Sequence, residues 1–243
     1  MAGALPQGPE EPSLEGDGLL TLTYHGHCAF LWTSPQGVRV LIDPFGNSAD
    51  SHWFLRPFPT VEADVALVTH HHFDHNAVQG LPGRPTLLRG PGELRLGDIT
   101  VRGVRDLHAG SSGVRGMSNT IFVIETEGVR FCHIGDNRHD VPGEVRARLG
   151  DVDVLMVTVD DSCHLLTYQQ VGQLVELISP HVVVPMHYYT EGLTTESSTL
   201  MPPDDWLATH GRVRRLNPGP VEISRKHLPD EREVWVLSAI STQ

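Results

Sequence analysis

Short apolar segments rich in β-branched and aromatic residues dominate the first half of the chain. Residues 19–34 (LLTLTYHGHCAFLWTS) and 37–46 (GVRVLIDPFG) are predicted to form successive strands, joined by a turn at Ser-Pro-Gln-Gly. A β-hairpin is therefore expected to open the domain. The near-continuous apolar run from Val65 to Val68 predicts a strand that is buried on both faces.

The later chain alternates further strands with one helix. The same criteria predict strands within residues 98–110, 119–128, 129–137, 151–160 and 181–190. The spacing of apolar residues changes to a helical period in residues 166–180, where Thr167 and Gln170 can form a capping box and Pro180 ends the run. This pattern predicts one α/β domain over residues 19–243, with a sheet-rich first half.

Composition narrows the function classes. The formal charge of −12, with only 18 Lys plus Arg, argues against nucleic acid or an anionic membrane as a partner and favours a small-molecule substrate. The three cysteines form no CxxC pair, which indicates a reducing cytoplasm. Residues 1–18 are predicted to be a mobile tail rather than a signal peptide, and no apolar run is long enough to span a bilayer. A homo-oligomer is compatible with all of these features.

The segment 70–75 (HHHFDH) concentrates four histidines and one aspartate directly behind the buried strand. In extended or turning backbone His70 and His72 can point the same way, and Asp74 and His75 follow in the next turn. Imidazole nitrogen and carboxylate oxygen are ligands for Zn, Mn or Fe. We therefore predict a metal site at this strand end, whose residues could supply ligands to two adjacent ions.

The HxHxDH pattern of His70, His72, Asp74 and His75 resembles the signature of the metallo-β-lactamase superfamily of metal-dependent hydrolases. Further matches follow the same chain order, each at the end of a predicted strand: Asp43, His108, Asp136 and His187. Residues 20–190 are most similar to the branch that contains ascorbate-6-phosphate lactonase-like and N-acyl-phosphatidylethanolamine phospholipase D-like enzymes. The resemblance implies a single-domain, four-layer αββα sandwich.

The resemblance also implies a division of ligands between two divalent ions. His70, His72 and His108 would hold one ion, Asp74, His75 and His187 the other, and Asp136 would bridge them. Zinc is the first expectation for the metal, with manganese or iron as alternatives. A hydroxide bridging the ions would be the nucleophile, Asp74 would accept or relay a proton, and Asp74 and Asp136 are therefore the predicted catalytic residues.

Other polar residues are candidates for supporting ligands or contacting substrate. They are Asp43, His27, His139, His164 and Tyr188. Asp43 is expected to support a ligand histidine. The segment with Asp160, Asp161 and His164 either contacts substrate or is a hydrogen-bonded loop, and the aromatic segment 45–59 forms either an apolar lid or ordinary core.

The expected function is hydrolysis of a small lactone or related ester by this dinuclear centre. The alternative reaction is phosphodiester hydrolysis, including that of a lipid. A non-catalytic protein that binds metal or a metabolite is the third hypothesis, which metal-dependent turnover would eliminate.

Overall fold

Two mixed β-sheets face each other in a computed structural model that describes residues 19–161 and 165–240. The first sheet has the strand order β13-β1-β2-β3-β4-β5. Its strands are β1 (Thr21–Gly26), β2 (Ala29–Thr33), β3 (Arg39–Ile42), β4 (Val65–Leu67), β5 (Thr86–Leu88) and β13 (Val221–Glu222). The predicted tail, residues 1–18, lies outside the described residues.

The second sheet has eight strands in the order β12-β14-β11-β10-β9-β8-β7-β6. They are β6 (Gly92–Leu96), β7 (Ile99–Leu107), β8 (Ser118–Thr126), β9 (Val129–His133), β10 (Val154–Thr158), β11 (Val182–Met186), β12 (Val213–Leu216) and β14 (Glu233–Leu237). Strands β9, β10, β11 and β14 are parallel, so their carboxyl ends meet at one edge. The buried apolar character of β10 and β11 follows from coverage on both faces.

Short helices complete the sandwich: α1 (Gly110–Val114), α2 (Gly143–Leu149), α3 (Tyr168–Ile178) and α4 (Asp204–Leu207). Helix α3 begins at the predicted capping box of Thr167 and Gln170 and packs on β10, while α2 packs on β7. The outer face of the first sheet is covered by loop residues such as Val61 and by the 3-10 turn Val78–Gly80. Within the described ranges, no helix is long and apolar enough to cross a membrane.

The main core lies between the two sheets. Trp32 of β2 meets Phe131 of β9 edge to face at 5.8 Å between ring centroids, and both side chains are fully buried. Side chains of both sheets belong to one continuous apolar cluster. The two mixed sheets and their helices confirm the predicted α/β sandwich and single domain.

The opening of the chain differs from the expected single strand over residues 19–34. A tight reversal after Gly26 divides this segment into β1 and β2, so that Gly26 pairs with Ala29. Gly26 has φ 103° and His27 has φ 55°, and a glycine accepts the first of these angles without steric cost. The hairpin predicted at Ser-Pro-Gln-Gly is confirmed, since β2 and β3 pair antiparallel on either side of it.

The last three strands, β12 to β14, carry no sequence motif, and only the structure shows which strands they pair with. β14 inserts between β11 and β12, whereas β13 crosses to pair with β1 of the other sheet. The C-terminal segment therefore ties the two sheets together.

Replacing Gly135 by alanine should destabilise the protein by about 1–3 kcal/mol. Gly135 has φ 60° and immediately precedes Asp136, and an added Cβ would lie 2.5 Å from Asn119 Oδ1. Gly143→Ala is the matched control, because Gly143 is exposed with nothing within 4 Å of its added Cβ. Urea unfolding of both variants measures the difference, and equal midpoints would show that the contact at Gly135 is unimportant.

Candidate metal centre

The segments that carry polar side chains meet at one end of the sandwich. The segment 70–75 follows β4 of the first sheet, and His27 lies in the turn between β1 and β2. From the second sheet, His108 follows β7, Asp136 follows β9 and His187 follows β11. The site is therefore built by both sheets, as expected for ligands drawn from strand ends.

The structure brings together all seven residues predicted to be metal ligands. Their side chains form two groups in which the potential ligand atoms lie within 4.8 Å of one another. One group contains His70, His72, His108 and Asp136; the other contains His27, Asp74, His75 and His187. The second group thus includes His27, which the sequence indicated only as a supporting or substrate-contacting residue.

Asp136 lies between the two groups. Its Oδ2 atom is 3.6 Å from the Nε2 atoms of His70 and His108, 3.4 Å from His75 Nε2 and 3.5 Å from His187 Nε2. One carboxylate oxygen therefore faces two imidazoles of each group.

Asp43 and Thr69 orient a histidine of each group. Asp43 Oδ2 accepts hydrogen bonds from His75 Nδ1 at 2.8 Å and from the Thr69 hydroxyl at 2.7 Å. Because the Thr69 hydroxyl donates to Asp43, it accepts from His70 Nδ1, which lies 2.9 Å away. Both imidazoles thus carry a proton on Nδ1 and direct Nε2 at the centre.

The same tautomer is imposed on His108, whose Nδ1 donates to the Ala109 carbonyl oxygen at 2.7 Å. Among the described residues, the buried Nε2 atoms of His75 and His108 and the Oδ1 atom of Asp136 have no hydrogen-bond partner. A buried polar atom without a partner costs free energy, and a coordinated cation would remove that cost. The donor set therefore fits divalent metal ions.

Burial and mutual charge determine the ionisation of the centre. Burial alone would raise the pKa of Asp136, but His187 and His75 hold it well below its usual range. Burial likewise opposes the charge of His75, yet Asp136 and Asp74 hold its pKa well above the usual value. Burial would raise the pKa of Asp74 too, but the charge of His75 and hydrogen bonds from His187 and His27 together hold it well below its usual range. Without metal, the centre is thus a buried network of paired charges.

Three other histidines are neutral. Burial, reinforced by His75, holds the pKa of His70 well below its usual value, and burial also lowers the pKa of His72. Burial followed by repulsion from His187 lowers the pKa of His27 to about 4. Neutral imidazole is the form that binds metal.

Two of the remaining candidates, His139 and Tyr188, line cavities of the protein. His139 lines a cavity of about 340 Å³ together with His108 and Leu166. Tyr188 instead lines a separate cavity of about 410 Å³ beside Tyr24, and burial raises its pKa to about 12. His164 lies outside the described residues.

Asp160 is a buried loop carboxylate close to the second group. Its Oδ1 accepts the Met201 backbone N–H at 3.1 Å, and its Oδ2 lies 3.8 Å from His187 Nδ1. Asp160 therefore fits the hypothesis of a hydrogen-bonded loop and also places negative charge behind His187.

The aromatic segment serves partly as core and partly as a wall of the site. Phe45 and Phe54 stack at 4.3 Å between centroids and are buried. Trp53 is half-buried and stands edge-on to His187 at 6.3 Å, with Phe73 against its other side at 5.3 Å. Trp53 belongs to the aromatic segment that the sequence predicts to be a lid or core, whereas Thr69 was not singled out from the sequence although it directly precedes the histidine cluster.

Comparison with known proteins agrees with this geometry. Residues 21–187 match the family model described as "Beta-lactamase superfamily domain". The chain belongs to the metallo-β-lactamase superfamily. A UPF0173 metal-dependent hydrolase from Rubrobacter xylanophilus is 30% identical over 203 residues, covering 70% of this chain and 81% of that protein. A relative from Thermococcus onnurineus is 28% identical over 199 residues, covering 71% of this chain and 86% of that protein.

Solved structures show the same fold. A structure from Thermotoga maritima, assigned to the Zn-dependent hydrolases of the metallo-β-lactamase superfamily, superimposes with a TM-score of 0.71 at 28% identity, covering 90% of this chain and 98% of that one. A metallo hydrolase from Ignicoccus hospitalis is 21% identical and superimposes with a TM-score of 0.56. The match covers 84% of this chain and 98% of the Ignicoccus chain. The protein is thus a metal-dependent hydrolase of this superfamily.

Asp43→Asn should lower metal affinity by about 10–100-fold. Asparagine tolerates the left-handed backbone of Asp43, whose φ is 45°. Both carboxylate oxygens of Asp43 accept hydrogen bonds, so the amide NH₂ of asparagine would face a donor and lose at least one of these bonds. Asp64→Asn is the control, because Asp64 accepts the Arg39 backbone N–H away from the centre. Competition with a chromophoric chelator measures affinity, and equal affinities of the two variants would refute the role of Asp43.

Metal uptake by metal-free protein should release protons and become tighter as pH rises. Despite burial, Asp136 and Asp74 hold the pKa of His75 well above its usual value, so its imidazole is positively charged at neutral pH, whereas a metal ligand carries no proton on its coordinating nitrogen. Asp136 and Asp74 also raise the pKa of His187. Each proton released makes affinity rise by about tenfold per pH unit. Calorimetry in buffers of different ionisation enthalpy counts the protons, and an enthalpy independent of buffer would contradict the expectation.

Proposed function

We propose that the protein is a dinuclear metal-dependent hydrolase that opens a small lactone or cleaves a related ester. The observation that carries the proposal is the position of Asp136 Oδ2, within 3.4–3.6 Å of two Nε2 atoms from each group. His70, His72 and His108 would hold one ion, and Asp74, His75 and His187 the other. Zinc suits this donor set first, with manganese or iron as alternatives.

When bound, two divalent ions make a nucleophile available from water at neutral pH and withdraw electron density from a carbonyl oxygen. The chain supplies the geometry and the proton acceptor. Asp74 stays ionised because its pKa is held low, and its Oδ2 lies 3.0 Å from His27 Nε2. Asp74 is thereby placed to accept or relay a proton, while Asp136 holds the two halves of the centre together.

The surroundings favour a neutral carbonyl substrate over a phosphodiester. The cavity beside His108 is lined largely by apolar groups such as Leu107 and Leu166. Its arginine, Arg138, is engaged by the buried carboxylate of Asp106 at 2.8 Å. A phosphate would gain little from an arginine whose charge is already paired, whereas a lactone or ester requires no cation there.

Asp136→Asn should reduce metal-dependent hydrolysis by at least about 100-fold. Replacing a residue that merely supports a ligand costs about 10–100-fold, and Asp136 would be a ligand shared by both ions. Asp230→Asn, an exposed carboxylate remote in sequence from every residue of the centre, is the control. The measurement is the initial rate of metal-loaded protein on matched lactones and phosphodiesters, with metal content determined in parallel.

Each outcome of this panel decides between the hypotheses. Faster lactone opening that is lost in Asp136→Asn supports the proposal. Faster phosphodiester cleavage would show that the substrate is a phosphodiester, including that of a lipid, and not a lactone. Bound metal without turnover of any substrate would leave a protein that binds metal or a metabolite without catalysis.

A further inference from the structure

His27 is held rigidly at the centre by its backbone. It occupies the turn between β1 and β2 with φ 55° and is fully buried. Its carbonyl oxygen accepts the His187 backbone N–H at 3.0 Å and the Tyr24 hydroxyl at 3.0 Å. The first of these bonds ties the backbone of His27 directly to that of His187.

The imidazoles of the centre form two similar triads. In the first, His70, His72 and His108 have ring centroids 4.7, 4.7 and 4.9 Å apart. In the second, the His27 ring lies 4.3 Å from His187 and 5.3 Å from His75, which are 5.7 Å apart. Each triad also has a carboxylate, Asp136 in the first case and Asp74 in the second.

We propose that His27 Nε2 is a protein ligand of the second metal ion, together with Asp74, His75 and His187. The inference rests on the proposed dinuclear centre and adds a ligand that the HxHxDH pattern does not contain. His27 Nε2 is 3.0 Å from Asp74 Oδ2, so the two atoms face the same point from different strand ends.

The added ligand makes the two metal positions unequal. His27, Asp74, His75 and His187 are all buried, with at most 3% of each residue exposed. The first group includes His72, which is only half-buried. The second ion is consequently enclosed by protein donors and the first is the one that solvent and substrate reach.

The competing explanation is that His27 only donates a hydrogen bond from Nε2 to Asp74. The two roles require different tautomers, because a ligand Nε2 carries no proton and the proton must then be on Nδ1. Without metal, the ionised carboxylate of Asp74 accepts from Nε2–H of His27, and metal binding would move that proton to Nδ1, which has no hydrogen-bond partner among the described residues.

The decisive experiment is a long-range ¹H–¹⁵N correlation spectrum of the histidine side chains in wild-type protein loaded with zinc. The His27 signals are assigned by their loss in His27→Gln. We expect the Nδ1–H tautomer, with coupling of Nε2 to the metal after replacement of zinc by ¹¹³Cd. An Nε2–H tautomer without that coupling would overturn the proposal.

Metal titration of His27→Gln gives an independent readout. Glutamine keeps an N–H donor for Asp74 but is a poor ligand, so the second ion should bind at least about tenfold more weakly while the first is unaffected. His25→Gln is the matched control, since His25 is a buried histidine of the adjoining strand β1 and lies outside both groups. Unchanged affinity for both ions in His27→Gln would contradict a ligand role. Wild-type protein that binds fewer than two ions would instead refute the proposed dinuclear function.

Discussion

The shared oxygen of Asp136 is the interaction on which the site depends. A carboxylate that is 98% buried is stable only when opposite charge or strong donors surround it, and in the absence of metal the imidazoles of His75 and His187 supply them. Those imidazoles come from both sheets, so the sandwich must close for the charge to be compensated. Folding and assembly of the metal centre are therefore one process.

The sandwich in turn maintains backbone conformations that an isolated segment would avoid. His27, Asp43 and His187 all have φ between 45° and 58°, and each such residue costs about 1–3 kcal/mol. Asp43 and His187 directly follow the buried strands β3 and β11, and His27 lies in the turn between β1 and β2. Packing of these strands in the core holds each residue in its conformation. The strained backbone of these three residues places one oriented carboxylate and two imidazoles at the same end of the molecule.

The hydrogen bonds behind the ligands explain how a crowded site keeps a defined protonation pattern. Asp43 and Thr69 together act on His75 and His70, one from each group. Asp136 and Asp74 lower the electrostatic cost of protonating His75 when metal is absent. The same residues therefore stabilise the metal-free state and prepare the ligand atoms for cations.

The sequence by itself determined the central strands and the helix cap at Thr167, because these depend on local periodicity, and the cluster of residues 70–75, because it is a short pattern of residue types. The other three residues that meet at the centre, His108, Asp136 and His187, were predicted from the family resemblance. It did not reveal the reversal at His27, since Gly26 alone interrupts the strand-forming residues of 19–34 and only the pairing of β1 with β2 shows that the chain turns there. The positions of Thr69, Trp53 and the C-terminal strands were likewise decided by tertiary packing. Contacts between residues far apart in sequence, such as His27 with Asp74 and Asp43 with His75, leave no periodic signal in either segment. Only the closed sandwich brings them together.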